Sequence, residues 1–385
     1  MNENTTTNSR RIFIRDSSCL AFGLSLSVIL PVTAGCQSGT SNKEKTKGME
    51  KDQNTKKLGI ALVGLGGYSE EQLAPALKET KYCRLAGIVT GTPSKVSKWR
   101  QKYDIPEKNV YNYQNFDSIK DNKDIDIVYV VLPNGMHAEY VIRAAKAGKH
   151  VICEKPMAVS VKECEEMINA CKEANVMLSI GYRLHFEPFN LEMARLGQNK
   201  VFGKIKSLEA TNGFVLPKGV WRADKKLAGG GPLMDLGVYC VQGVIYTIGE
   251  LPIAITAKEG KKRDQEKFRT VEESIAWTME FPSGAIAKCN TSYAEDLNLL
   301  KAEAENGYFQ ISPSYGYHGL QGETSKGKMD FPDVYEQALQ MDDFALCVIN
   351  KKPTRVPGEM GLRDVKILMA IYDAAKTGER VELKW

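Results

Sequence analysis

The sequence predicts an α/β protein of two domains: a doubly wound parallel sheet, then an α/β domain built on a large, mostly antiparallel sheet. Three observations lead there. At 385 residues the chain outgrows a single core, given a usual domain size of roughly 100–200 residues. From residue 58 to 180, short apolar strands alternate with amphipathic helices, the pattern of a parallel sheet with right-handed crossovers. From residue 181 to 385 the β-rich stretches KIKSLEATNGFV, IAITAKEG, ESIAWTMEF and GAIAKCNTSY are punctuated by Gly and Pro, as an antiparallel sheet requires.

Composition narrows the function classes. With 43% hydrophobic and 26% charged residues, the chain is neither disordered nor a multi-span membrane protein. A net charge of +5 without a dense basic block argues against nucleic acid as a partner. The nine cysteines show no CxxC pair and no histidine at ligand spacing, so no metal site is expected. Most of them read as small buried hydrophobes.

Residues 1–36 form the first element. Adjacent Arg10 and Arg11 in SRRIFIR precede CLAFGLSLSVILPVTAG, which is too short and too mild for a membrane span. The segment resembles a twin-arginine export signal, and TAGC, ending at Cys36, resembles a bacterial lipobox. The expectation is a protein on the periplasmic side of the bacterial envelope, held to the membrane only by a lipid on Cys36. Residues 37–57 offer almost nothing to bury and read as a flexible tether. Because the twin-arginine route carries folded proteins, it fits a cofactor loaded before export and held tightly.

The dinucleotide element comes next, in KLGIALVGLGGYSEEQLAPAL. An apolar strand runs into Gly64, Leu65, Gly66, Gly67 and Tyr68, and a helix follows; Ser69 stands where a third glycine is usual. Glycines there allow a tight turn and close approach of backbone to a pyrophosphate, whose charge meets the helix start. The second strand, RLAGIVTG, reaches Thr90 with no acidic residue to bind a ribose 2′-hydroxyl. Thr90 and Lys95 suit an extra 2′-phosphate instead, which favours NADP over NAD.

Three more strands complete the first half. IDIVYVV halts at Pro133 and Asn134 before a helix that starts near His137. HVIC halts on Glu154, Lys155 and Pro156, and VMLSIGYRLHF carries Arg183 and His185. Ligands of such sheets sit beyond the carboxyl ends of the strands, so these residues share one crevice. Pro156 restricts Lys155 and pre-positions its ammonium.

With these motifs in place, the chain from Leu58 onward resembles the Gfo/Idh/MocA oxidoreductases, and among them the glucose-fructose oxidoreductases. The resemblance rests on GKHVICEKPMAVS, VLPNGMHAEYVIRAAKAG, IGYRLHFEP, LAGGGPLMDLGVYCVQG and VINKKPTRVPGEMGLRDVKILMAIYDAAKTG. It implies a Rossmann domain followed by an α/β domain, tightly bound NADP, and sugars as substrates. It also implies a site where Lys155 of the EKP motif meets Asp235 and Tyr239 of a D-x-x-x-Y pair. Implied cofactor contacts are the 64–68 turn, Thr90, Lys95, Leu132, Pro133, Asn134, His137, Glu154, Lys155, Arg183, Trp221 and Arg222.

The chemistry that follows is hydride transfer at C1 of an aldopyranose, giving a lactone. An ammonium beside a phenol favours the ionised phenol, so Tyr239 is expected to take the C1 hydroxyl proton while Lys155 steadies the oxyanion and Asp235 orients the sugar. Whether Lys155 or Tyr239 moves the proton stays open, because close ionisable groups titrate together. His185 reads equally as a sugar contact or as a structural histidine. A retained NADPH would then reduce a second sugar. Alternatives are an NAD-assisted glycosidase, a glycoside 3-dehydrogenase, or a non-catalytic tethered sugar-binding protein. Residues 211–222 are shorter than in glucose-fructose oxidoreductases and the tether lacks a proline-rich arm, so sugar identity and oligomer size stay open; the sheet of the second domain is the expected homo-oligomer surface.

Overall fold

The computed structural model describes residues 56–385. The expected export signal, Cys36 and the expected tether up to residue 55 lie outside the described residues.

The first sheet contains β1 (Leu58–Val63), β2 (Cys83–Val89), β3 (Val110–Tyr111), β4 (Ile127–Val130), β5 (His150–Cys153) and β6 (Leu178–Ile180). All pairs are parallel and the spatial order is β3-β2-β1-β4-β5-β6. This is the doubly wound order, with its switch point between β1 and β4. Alternate residues feed two faces. Ile60, Leu62, Ile127 and Tyr129 meet Leu77 of α1 (Ala74–Glu79) and Trp99 of α2 (Pro93–Tyr103). Ala61, Val63, Val128 and Val130 join the core that includes Val141 of α3 (His137–Lys146) and Met167 of α4 (Val161–Glu173).

β6 is shorter than VMLSIGYRLHF suggests. The Tyr182 N–H folds back onto the Ile180 carbonyl at 2.7 Å, which ends the ladder and starts a 3-10 turn at Arg183–Phe186.

The second sheet has nine strands in a mixed but mostly antiparallel arrangement. They are β7 (Ile205–Gly213), β8 (Ala254–Glu259), β9 (Ser274–Glu280), β10 (Ile286–Ser292), β11 (Leu297–Ala304), β12 (Gly307–Ile311), β13 (Gly322–Thr324), β14 (Gly327–Lys328) and β15 (Val381–Glu382). Their order is β14-β13-β12-β11-β7-β10-β9-β8-β15, and only β7 with β10 is parallel. β11, LNLLKAEA, carries residues that favour helix, yet it lies between β7 and β12 as a strand. Pairing on both edges overrides local propensity there.

The helices of this half are α5 (Pro188–Gln198), α6 (Lys225–Ala228), α7 (Val238–Ile248), α8 (Glu336–Asn350) and α9 (Gly358–Thr377). Leu208, Ala210, Ala287 and Leu300 of the sheet share one core with Val241 and Val244 of α7 and with Leu368 and Ile371 of α9. On the opposite sheet face Glu209 lies in register between Lys288 and Lys301. α8 returns to the first domain and seats Met341 and Phe344 in the core under β1 and β4. Since α4 and α9 share one core, the two sheets are held in a fixed relation across the crevice.

Candidate active site

Lys155 is placed by its neighbours along the chain and across it. β5 ends at Cys153, and the Lys155–Pro156 peptide is cis. His137, at the start of α3 and fully buried, bridges the Leu132 carbonyl at 2.8 Å and the Pro156 carbonyl at 3.0 Å. One imidazole therefore ties the end of β4 to the loop that carries Lys155. Burial pushes that imidazole below its ordinary pKa, against the pull of the carbonyls around it.

Asp235 and Tyr239 arrive on a different element. A π turn at Leu233–Gly237 leads into α7, so both side chains lie at the start of one helical run. The start is held by Glu272, a residue that sequence reasoning passed over. Its buried carboxylate accepts the Gly231 N–H at 2.9 Å, the Leu233 N–H at 3.1 Å and the Tyr372 hydroxyl at 2.8 Å. A carboxylate suits a helix start, where free N–H groups carry positive partial charge. The packing also explains two of the glycines: a Cβ at Gly230 would overlap the Tyr372 hydroxyl, and one at Gly231 the Glu272 backbone.

The three expected residues meet. The Lys155 ammonium donates to the Asp235 carbonyl at 2.7 Å and to Asp235 Oδ1 at 3.2 Å, and stands 4.5 Å from the centre of the Tyr239 ring. Two of its three N–H groups are thus engaged, leaving one for a substrate oxygen. Asp235 Oδ2 accepts from Arg222 Nε at 2.9 Å and from the Tyr293 hydroxyl at 3.0 Å. Burial would raise the Asp235 pKa, but the charges of Lys155 and Arg222 and the hydroxyl of Tyr293 bring it down to about 2. Asp235 is therefore a counter-ion for two cations, with one acceptor position left on Oδ1.

Tyr293 was also missed. Its ring is fully buried between Phe214 and Phe268, with centroids 5.4 and 6.4 Å away, and its hydroxyl is kept protonated by burial and by the Asp235 charge. It follows directly on β10, a strand-end position that could have drawn attention.

Several expected cofactor contacts also hold partners within the protein. Arg183 is 2% exposed and pairs with Glu336. Glu154 is buried, accepts from the Tyr129 hydroxyl at 2.7 Å, and has its carboxyl pushed up by burial. Asn134 donates to the Ala228 carbonyl at 2.8 Å, joining the turn after β4 to α6, with buried Leu132 and half-buried Pro133 just before it. Trp221 is half-buried, with the Arg222 guanidinium 4.7 Å over its ring. His185 is a satisfied histidine, paired with Gln242 Oε1 at 2.6 Å.

The glycine turn fits a dinucleotide. Gly64 has φ +96°, and a Cβ there would press on the Val131 carbonyl, whereas a Cβ at Gly66 meets nothing within 4 Å. Gly66 and Gly67 are exposed, so their backbone is free to approach a pyrophosphate. Ser69, in place of the third glycine, donates to the Gly64 carbonyl at 2.6 Å and closes the turn. Lys95 caps the Leu65 carbonyl at 2.6 Å, and Thr90 is buried at the end of β2 with Oγ1 accepting the Thr92 N–H at 3.1 Å. Tyr68 reaches over to Tyr317 of the second domain, ring centroids 5.9 Å apart. Among the described residues, no group of three or more His, Cys, Asp or Glu is placed to hold a metal.

Comparison with known proteins places both halves of the chain in one family. Residues 58–182 match the Gfo/Idh/MocA oxidoreductase family with an NAD-binding Rossmann fold, and residues 190–304 match the Gfo/Idh/MocA C-terminal domain. The chain belongs to the Gfo/Idh/MocA oxidoreductase family.

It is similar to the crystal structure of aldose-aldose oxidoreductase from Caulobacter crescentus complexed with glycerol. That likeness has a TM-score of 0.83 and 38% identity, over 85% of this chain and 100% of the other. D-xylose 1-dehydrogenase (NADP(+)) of Haloarcula marismortui is 26% identical over 336 residues, 84% of this chain and 92% of the relative. D-glucoside 3-dehydrogenase of Escherichia coli is 25% identical over 362 residues, 87% of this chain and 100% of the relative. As a Gfo/Idh/MocA oxidoreductase the chain carries an NAD(P)-binding Rossmann domain.

Proposed function

We propose that this chain is an exported, NADP-dependent oxidoreductase that oxidises C1 of an aldopyranose to the lactone, and that it reduces a second sugar without releasing its cofactor. The observation that carries the proposal is the convergence of the Lys155 ammonium, the Asp235 carboxylate and the Tyr239 phenol at the carboxyl ends of the strands. The likeness to an aldose-aldose oxidoreductase supports the pairing of two sugars.

The chemistry of the chain's own groups is simple. The Tyr239 oxygen accepts the proton of the C1 hydroxyl as the C1–H bonding pair leaves, and the C1–O bond becomes the lactone carbonyl. Lys155 donates its remaining N–H to that oxygen while negative charge builds there. Asp235 fixes Lys155 and Arg222, and Tyr293 fixes Asp235. A bound nicotinamide dinucleotide supplies the hydride acceptor. In the second half-reaction Tyr239 returns its proton to a sugar carbonyl oxygen.

Three further features support the reading. β2 ends without a carboxylate, and Thr90 and Lys95 stand beside the glycine turn, which favours NADP. All seven cysteines of the described residues are free and six are buried, as suits a chain that folds in a reducing compartment before export and lipid attachment at Cys36. The polar outer face of the second sheet offers a homo-oligomer surface. A second reading, oxidation at C3 of a glycoside, is favoured by the full-length likeness to D-glucoside 3-dehydrogenase.

The test is to purify the protein without added nucleotide and follow nicotinamide absorbance as single sugars are added. The proposal expects bound NADP, reduced by an aldose and reoxidised by a second sugar. Reduction by methyl glycosides, which lack a free C1 hydroxyl, would instead select the C3 reading.

A further inference from the structure

We propose that Arg183 is a positioning residue for Tyr239, setting the lone pair and proton direction of the phenol rather than contacting the cofactor. The inference rests on the catalytic role given to Tyr239 above. Arg183 sits on the 3-10 turn after β6, where sequence reasoning expected a ligand contact. Its side chain is 2% exposed, and four of its five N–H groups are engaged by protein. Nη1 donates to Glu336 Oε1 at 2.6 Å and to the Gly316 carbonyl at 3.0 Å, Nη2 to the Tyr315 carbonyl at 2.7 Å, and Nε to the Tyr239 hydroxyl at 3.3 Å.

The consequence for the phenol is directional. A guanidinium has no acceptor, so the Tyr239 oxygen must accept from Nε, and the phenolic hydrogen points away from Arg183. Lys155 covers the ring face, at 4.5 Å, and is itself only a donor. The hydrogen is thereby turned toward the open crevice, where a sugar oxygen would lie. When the proton is absent, the same N–H faces the phenolate. Glu336, from α8, and the two loop carbonyls hold the guanidinium so that it cannot swing to another acceptor. Burial disfavours its charge, yet the Tyr239 oxygen and the Glu336 carboxylate beside it keep it ionised. Tyr317, 4.5 Å under the guanidinium, completes the enclosure.

A double-variant cycle tests this. Removing Arg183 alone leaves the buried Glu336 carboxyl without its partner, so the pair is replaced together as Arg183→Gln/Glu336→Gln, in the wild type and in a Tyr239→Phe background. With Tyr239 present, kcat is expected to fall about 100-fold with KM and the NADP dissociation constant within about 3-fold. In the Tyr239→Phe background the same pair should cost less than about 3-fold. Arg183→Lys should recover only part of the loss, because an ammonium lacks the fork. An equal loss in both backgrounds, or a weakened NADP affinity, would overturn the proposal.

A crystal structure of the paired variant gives a readout independent of turnover. The Tyr239 ring should lose its single orientation, and a ring left in place would count against the inference. Wild-type protein inactive on every aldose would refute the proposed function and leave this structural arm standing.

Discussion

Asp235→Asn separates charge from shape at the centre of the site. The carboxylate lies 3.2 Å from the Lys155 ammonium and 2.9 Å from Arg222 Nε, and in the folded protein its pKa falls to about 2. An unperturbed aspartate titrates near ~3.9, so the gap is roughly 2 units, or about 2–3 kcal/mol in favour of the ionised form. Asparagine keeps the outline and removes the charge, so the variant should be about 2–3 kcal/mol less stable near neutrality.

The sign of the pH dependence follows from the depressed pKa. The contribution is fully present above the unfolded value near ~3.9 and is lost as pH falls through about 2. The gap between wild type and variant should therefore shrink to about half by roughly pH 3. Urea unfolding at both pH values measures it, with the slopes compared to confirm similar exposure on unfolding. Activity should fall about 100-fold as well, since Lys155 loses the charge that holds it. A stability gap that ignores pH would refute the reasoning, because the ionised carboxylate would then not be what Asp235 contributes.

Other perturbations test neighbouring claims. Tyr239→Phe should lower kcat by about 100- to 10,000-fold in steady-state assays and lower stability by about 1–3 kcal/mol in thermal or urea unfolding, because the buried Arg183 Nε–H loses its acceptor. Tyr293→Phe keeps the ring between Phe214 and Phe268 and removes the bond to Asp235; thermal or urea unfolding should show a loss of about 1.5–3 kcal/mol, and kcat/KM should fall about 10-fold. Gly66→Ala should fold normally yet weaken NADP binding by more than about 10-fold in a titration, because its Cβ meets nothing until a pyrophosphate approaches. Gly64→Ala, at φ +96° against the Val131 carbonyl, should instead destabilise the fold by about 1–3 kcal/mol.

Much of the site was written locally. The glycine turn, the stop at Glu154-Lys155-Pro156 and the four-residue spacing of Asp235 and Tyr239 are short patterns, and each depends on a strand ending or a helix starting nearby. Tyr293 and Glu272 gave no such signal. A tyrosine after a strand and an acid before one are common, and their roles arise only where β10 and the 231–233 turn are folded against each other.

By itself, then, the sequence determined which elements form and their order, because strand and helix periods and Gly and Pro breaks act over a few residues, while the approach of a lysine and a D-x-x-x-Y pair to one crevice was implied only by the family resemblance. Tertiary structure decided what each charged side chain does once there. Arg183 meets Glu336 across 153 residues and Tyr239 across 56, and Asp235 gathers Lys155, Arg222 and Tyr293 from three separate segments. No local spacing encodes such pairings. They are selected because a buried charge without a partner is too costly to keep, and only the packed fold brings the partner within reach.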